Sequence, residues 1–112
     1  MQPLIIPQKN TQILYVKSDD YTFTTGDVLY FTVKLAPDND QTDATALVKK
    51  SWTVGTDAEY DEEGYLNLAL DEDDTDMDFG EYYYDIKLVN SDNKETLVFG
   101  KLNIVPVCTL RV

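Results

Sequence analysis

Residues 78–88, Asp78-Phe79-Gly80-Glu81-Tyr82-Tyr83-Tyr84-Asp85-Ile86-Lys87-Leu88, constrain the fold more than any other stretch of this chain. Tyr82, Tyr84, Ile86 and Leu88 alternate with Tyr83, Asp85 and Lys87. A period of two sustained over this length belongs to a strand with one face buried and the other turned outward.

The approach to that strand is equally informative. Asp78-x-Gly80-x-Tyr82-x-Tyr84 has the spacing of a tyrosine corner, in which the first tyrosine returns its hydroxyl to backbone a few residues upstream. Tyrosine corners belong to immunoglobulin-like sandwiches, and the position held here by Tyr84 is a cysteine in antibody domains. The chain has a single cysteine, Cys108, so no disulfide can form within it. The expectation is therefore an all-β fold, an immunoglobulin-like antiparallel β-sandwich of about seven strands without an inter-sheet disulfide. A length of 112 residues suits a single domain over 1–112.

The remaining elements follow in order. Pro3 and Pro7 bracket Leu4-Ile5-Ile6, which makes residues 1–10 an amino-terminal arm or edge segment that cannot donate fully to a ladder. That apolar run is too short for a signal peptide or a membrane span and no basic region precedes it, so export by the general route is not expected. Ile13 to Val16 reads as a short strand, and Tyr21-Thr22-Phe23-Thr24 alternates like another. Next, Leu29, Phe31, Val33 and Leu35 share one face while Tyr30, Thr32 and Lys34 share the other. A polar loop is expected over residues 36–45. Residues 46–54 form a strand of poor phase: if Ala46, Val48, Trp52 and Val54 point inward, so does Lys50. An edge strand with a snorkelling lysine resolves the conflict. Leu66, Leu68 and Leu70 alternate with Tyr65, Asn67 and Ala69. Asp71 and Asp74 suit a capped turn whose amino end favours negative charge. Val98, Gly100, Leu102 and Ile104 mark a last strand that ends at Pro106, followed by an apolar tail over 106–112.

Little in the chain supports reaction chemistry. It contains no histidine, the commonest general base and metal ligand. Cys108 has no histidine to activate it, the three serines sit in no nucleophile elbow, and the glycines form no phosphate loop. No enzymatic activity and no cofactor are expected. The net charge of -12 repels phosphate backbones and anionic headgroups, which argues against nucleic acid and membrane as partners. An EF-hand laid from Asp71 fails, because Asp76 stands where glycine is needed and Tyr82 where a glutamate should close the site. Irregular calcium sets remain open at Asp57, Glu59 and Asp61 and at Asp73, Asp76 and Asp78, beside the simpler reading of solvated acidic loops. Tyr30 and Tyr83 fall on the outward phase of central strands, and with Trp52, whose phase is ambiguous and leans towards core, they are the candidate partner-binding residues.

Gly26-Asp27-Val28-Leu29-Tyr30-Phe31-Thr32-Val33-Lys34, Ala46-Leu47-Val48-Lys49-Lys50, and the run from Leu70 through Asp74-Thr75 to Leu88 resemble the small immunoglobulin-like proteins of tailed phages and prophages of Gram-positive bacteria, those of the baseplate upper protein family. The order and spacing extend from Gly26 to Ile104; the loop after Lys34, the acidic run over 71–78 and the tail after Pro106 depart from the family pattern. The resemblance implies a non-enzymatic structural module of the virion, in baseplate, tail or head, made in the bacterial cytoplasm. Its partners would be other virion proteins or further copies of itself. A calcium- or carbohydrate-binding adhesion module is the alternative from a different class.

Overall fold

The computed structural model describes residues 3–18, 21–36, 45–92 and 94–106. Among the described residues seven strands are present: β1 (Leu4–Pro7), β2 (Gln12–Val16), β3 (Val28–Lys34), β4 (Val48–Thr53), β5 (Leu66–Leu70), β6 (Gly80–Val89) and β7 (Lys94–Val105). They form a five-stranded sheet in the order β1-β7-β6-β3-β4 and a two-stranded sheet of β2 and β5. All neighbours are antiparallel except β1, which runs parallel to β7. The fold is the expected all-β, immunoglobulin-like sandwich.

Central to it is the β3–β6 pair, aligned from Val28 opposite Val89 to Lys34 opposite Tyr83. Leu29, Phe31 and Val33 from β3 and Tyr82, Tyr84, Ile86 and Leu88 from β6 are buried on the inner face. Leu14 and Val16 of β2 and Leu66, Leu68 and Leu70 of β5 meet them from the smaller sheet. Fully burying a side chain of this size contributes about 1.5–3 kcal/mol, so the interlocked leucines and aromatics are the main source of stability. The tyrosine corner is formed. The Tyr82 hydroxyl donates to the Asp78 carbonyl at 2.7 Å. Gly80 has φ +144°, a backbone setting that side-chain-bearing residues rarely adopt, and it turns the chain from the corner into β6.

Trp52 is core, at 3% exposure. Its indole Nε1–H crosses between the sheets and donates to the Ala69 carbonyl of β5 at 3.1 Å. This removes Trp52 from the candidate contact residues: a side chain that fills the interior and satisfies a strand edge has no face left for a partner. Lys50, three places nearer the start of β4 than Thr53, does lie on the inner phase of an edge strand. It reaches Asp74 at 3.1 Å and Asp71 at 3.7 Å, so the lysine and the acidic turn after β5 neutralise one another across the open side of the sandwich. The Asp74 hydrogen bond comes first among the influences that raise the Lys50 pKa, and they outweigh the opposing effect of burial. Asp71 and Asp74 also cap one another's backbone reciprocally, at 2.9 and 3.1 Å, in a single turn.

Other expectations are corrected by the strand limits. The alternating segment at Tyr21–Thr24 is not a strand, and the segment at Leu4–Pro7 is one, so the total of seven stands with different members. Leu35 is 68% exposed, because β3 ends one residue earlier and the alternation no longer has a sheet to define its faces. In β7, Ile86 faces Val98 but Lys87 faces Thr96, leaving Leu97 as the extra residue of a bulge. Both Leu97 and Val98 then pack partly against the core. Cys108, the tail after Pro106 and most of the loop after Ala36 lie outside the described residues.

Replacing Tyr82 by Phe removes the corner bond alone and is expected to cost about 1 kcal/mol in urea unfolding. Trp52→Ala empties the core and should cost about 3–5 kcal/mol. Trp52→Phe, which loses mainly the hydrogen bond to Ala69, should fall between wild type and alanine.

Candidate interaction surface

The outer face of the large sheet is assembled by register. In one row Lys34 of β3, Tyr83 of β6 and Lys101 of β7 stand side by side. The next row holds Lys49, Thr32, Asp85 and Phe99, and the one after it Ser51, Tyr30, Lys87 and Thr96. Lys94 lies beside Val89, and Ile5 of β1 beside Asn103. Of the chain's nine basic residues, five are on this face: Lys34, Lys49, Lys87, Lys94 and Lys101. Exposed apolar and aromatic side chains are interleaved with them, namely Ile5 at 70%, Phe99 at 60% and Tyr30 at 44%. Tyr83 is half-buried between its lysine neighbours. The structure therefore brings Tyr30 and Tyr83 onto one surface, as expected, and adds Phe99 and Ile5. Phe99 was legible, since it alternates with Val98 and Gly100; Ile5 was not, because nothing local to it shows that β1 joins this sheet.

Charge is distributed in the opposite sense elsewhere. Residues 57–78 carry eleven of the 21 acidic residues and no lysine or arginine. They form the two loops at either end of β5, away from the outer face of the large sheet. Most of their described hydrogen bonds are structural. Asp61 accepts from the Glu63 and Tyr65 amides at 2.9 Å each and from Asn67, and the Tyr65 amide is first among the bonds that hold its pKa below the usual carboxylate range. Asp57 accepts from the Thr53 amide. Among the described residues no group of three carboxylate, thiol or imidazole side chains is placed to hold a metal ion. The calcium sets considered from sequence are thus not assembled: their members cap turns or point to solvent.

Among the described residues Asp27 is the one buried carboxylate, and the sequence pattern does not single it out. It accepts from the Tyr21 hydroxyl at 2.7 Å, the Thr24 amide at 3.0 Å and the Asn90 side-chain amide at 3.3 Å. Its own amide and carbonyl bond to Thr24 and Val54. Burial by itself pushes its pKa up, but the Thr24, Tyr21 and Asn90 hydrogen bonds together outweigh that and hold it below the ordinary carboxylate value. A carboxylate so fully engaged by its own chain is a clasp between the Tyr21–Asp27 loop and the end of β6, not a group offered to a substrate.

A smaller aromatic patch lies on the outer face of the two-stranded sheet. Tyr15 and Tyr65 meet edge to face at 6.4 Å, and Lys17 Nζ sits 5.4 Å from the Tyr65 ring centre. Such contacts contribute about 0.5–1.5 kcal/mol. Ile13 and Ala69 continue the patch along the same face.

No protein-family model matches the chain, and a search of curated proteins finds no relative of it.

Because its pKa in the folded state is depressed, the Asp27 carboxylate contributes stability that is fully present above its unfolded value, near 3.8, and is lost as pH falls through the lower folded value. Asp27→Asn should therefore melt below wild type at neutral pH, by about 1–3 kcal/mol, with the gap closing on acidification. Paired thermal melts between neutral pH and pH 3 check this; a gap that widens in acid would contradict it.

Proposed function

We infer that this chain is a non-enzymatic assembly module of a phage particle, working through protein–protein contacts made by the outer face of its five-stranded sheet. The observation that carries the reading is the composition of that face. Tyr30, Tyr83, Phe99 and Ile5 stand among five lysines on a chain of net charge -12. Solvated sheet faces have no packing need for exposed aromatics, and aromatics are enriched where proteins meet. The interleaved lysines suit a partner surface with carboxylates, and they steer its approach. The resemblance of residues 26–104 to the small immunoglobulin-like proteins of tailed phages supplies the biological setting. An immunoglobulin-like sandwich is compatible with that role.

Particles purified from a lysate of the cell that encodes the chain should contain it at a fixed ratio to the major structural proteins, measured by quantitative mass spectrometry. The double variant Tyr30→Ser, Phe99→Ser should keep its thermal midpoint, since surface substitutions of this kind usually stay within about 0.5 kcal/mol, and should be lost from the particles. A chain absent from purified particles would remove the phage assignment. A double variant that is incorporated normally would remove the outer face as the contact surface.

A further inference from the structure

The two sheets protect their edges unequally. At the rim of β5, the Asn67 amide donates to the Glu59 carbonyl at 3.1 Å and the Tyr65 carbonyl accepts from the Asp61 amide at 2.8 Å. The Ala69 carbonyl is covered by the Trp52 indole and the Asp71 amide by Asp74. At the rim of β4, Lys49 and Lys50 stand as charged guards, and β1 is only four residues long and ends in Pro7. Among the described residues, the free rim of β2 has no such protection.

The bonding pattern of β5 settles which groups that rim presents. Tyr65 and Asn67 direct their backbone away from β2, so Leu66, Leu68 and Leu70 are the residues that bond to it, through Val16, Leu14 and Gln12. The intervening residues of β2, Ile13 and Tyr15, therefore turn their N–H and C=O groups outward. Among the described residues neither of these two amides meets an acceptor, and the Ile13 carbonyl has only a long 3.4 Å contact from the neighbouring Gln12 side chain. Ile13 and Tyr15 are also 44% and 61% exposed.

We propose that this rim is a docking edge for the same strand of a second copy, joining two sandwiches across a two-fold axis at Leu14. Antiparallel pairing about that axis sets Ile13 of each copy opposite Tyr15 of the other. It completes four backbone hydrogen bonds, and on the outer face it forms two aromatic–β-branched pairs of the kind that stabilise sheets. The minimal two-stranded sheet becomes a continuous four-stranded one. Charge selects a second copy as the occupant. Residues 1–18 contain no acidic residue in a chain that has 21, and Lys9 and Lys17 are their only charged side chains. Two copies paired along β2 set no carboxylate of one strand against a carboxylate of the other, whereas like contacts through the loops flanking β5 would juxtapose acidic side chains. The inference does not depend on the phage assignment and uses none of the outer-face residues of the large sheet.

Sedimentation equilibrium of the full chain from micromolar to millimolar concentration should show a mass rising towards twice 12.8 kDa. Ile13→Pro removes an amide that the monomer does not use, and a rim strand tolerates it. By symmetry it deletes two interchain bonds at once, and it should weaken association at least about tenfold with the thermal midpoint of the dilute protein kept. Ile13→Lys, which leaves the backbone intact, should do the same and guards against misfolding of the proline variant. In the wild type, hydrogen exchange at the Ile13 and Tyr15 amides should slow as concentration rises. A monomer at every concentration, or a dimer indifferent to both Ile13 variants, would overturn the proposal.

Discussion

The β3–β6 pairing is the constraint from which the other placements follow. Seven consecutive residue pairs hold Leu29, Phe31 and Val33 in register with Leu88, Ile86 and Tyr84. A shift of one residue would send this whole set to the wet face and bring Tyr30, Thr32, Tyr83 and Lys87 inside, so the register is enforced by the full hydrophobic content of two strands. With that pair set, β4 and β7 have one free side each to occupy. The tyrosine corner then determines where β6 begins, because Gly80 and the Tyr82–Asp78 bond bring the chain over from the smaller sheet at a defined angle.

The smaller sheet depends on the larger one. Two five-residue strands do not make a stable unit in water, and β2 and β5 persist because Leu14, Val16, Leu66, Leu68 and Leu70 are pressed against the five-stranded sheet. Polar contacts tie the open side: the Trp52 indole to Ala69, and Lys50 to Asp74 and Asp71. Both arise on β4 and both end at β5 or the turn that leaves it. β4 thus does two jobs at once, contributing Trp52 to the interior and a cation to a turn that would otherwise concentrate negative charge.

The same division gives the surface its polarity. Carboxylates gather in the loops flanking β5, where they cap turns, while lysines and aromatics gather on the far side of the large sheet. Neither grouping is contiguous in the chain: Lys34, Tyr83 and Lys101 come from three strands and share a row only because β3, β6 and β7 are neighbours. The bare rim of β2 is likewise a product of assembly, since the loop carrying Glu59 and Asp61 covers one side of the small sheet and nothing comparable covers the other among the described residues.

Alternation within a strand is a local property, and wherever the local pattern was long it was enough: the faces of Tyr82 to Leu88, Leu29 to Val33 and Leu66 to Leu70 were readable from the order of residues, as was the corner motif. Short or interrupted patterns were not enough. Tyr21 to Thr24 alternates because Tyr21 bonds to Asp27 and Phe23 enters the core, not because a neighbouring strand pairs with them. Leu35 continues the phase of β3 past the last rung of its ladder. Trp52 and Lys50 share a face, and only the approach of β5 and its acidic turn shows why one is buried and the other paired. Residue order by itself determined the strands with long alternation, their inward faces and the class of fold, because side-chain period is set by the backbone alone. The membership of each sheet, the row of lysines and tyrosines, and the choice of covered and uncovered edges were decided by tertiary structure, because each depends on residues far apart in the chain meeting across a ladder or a core.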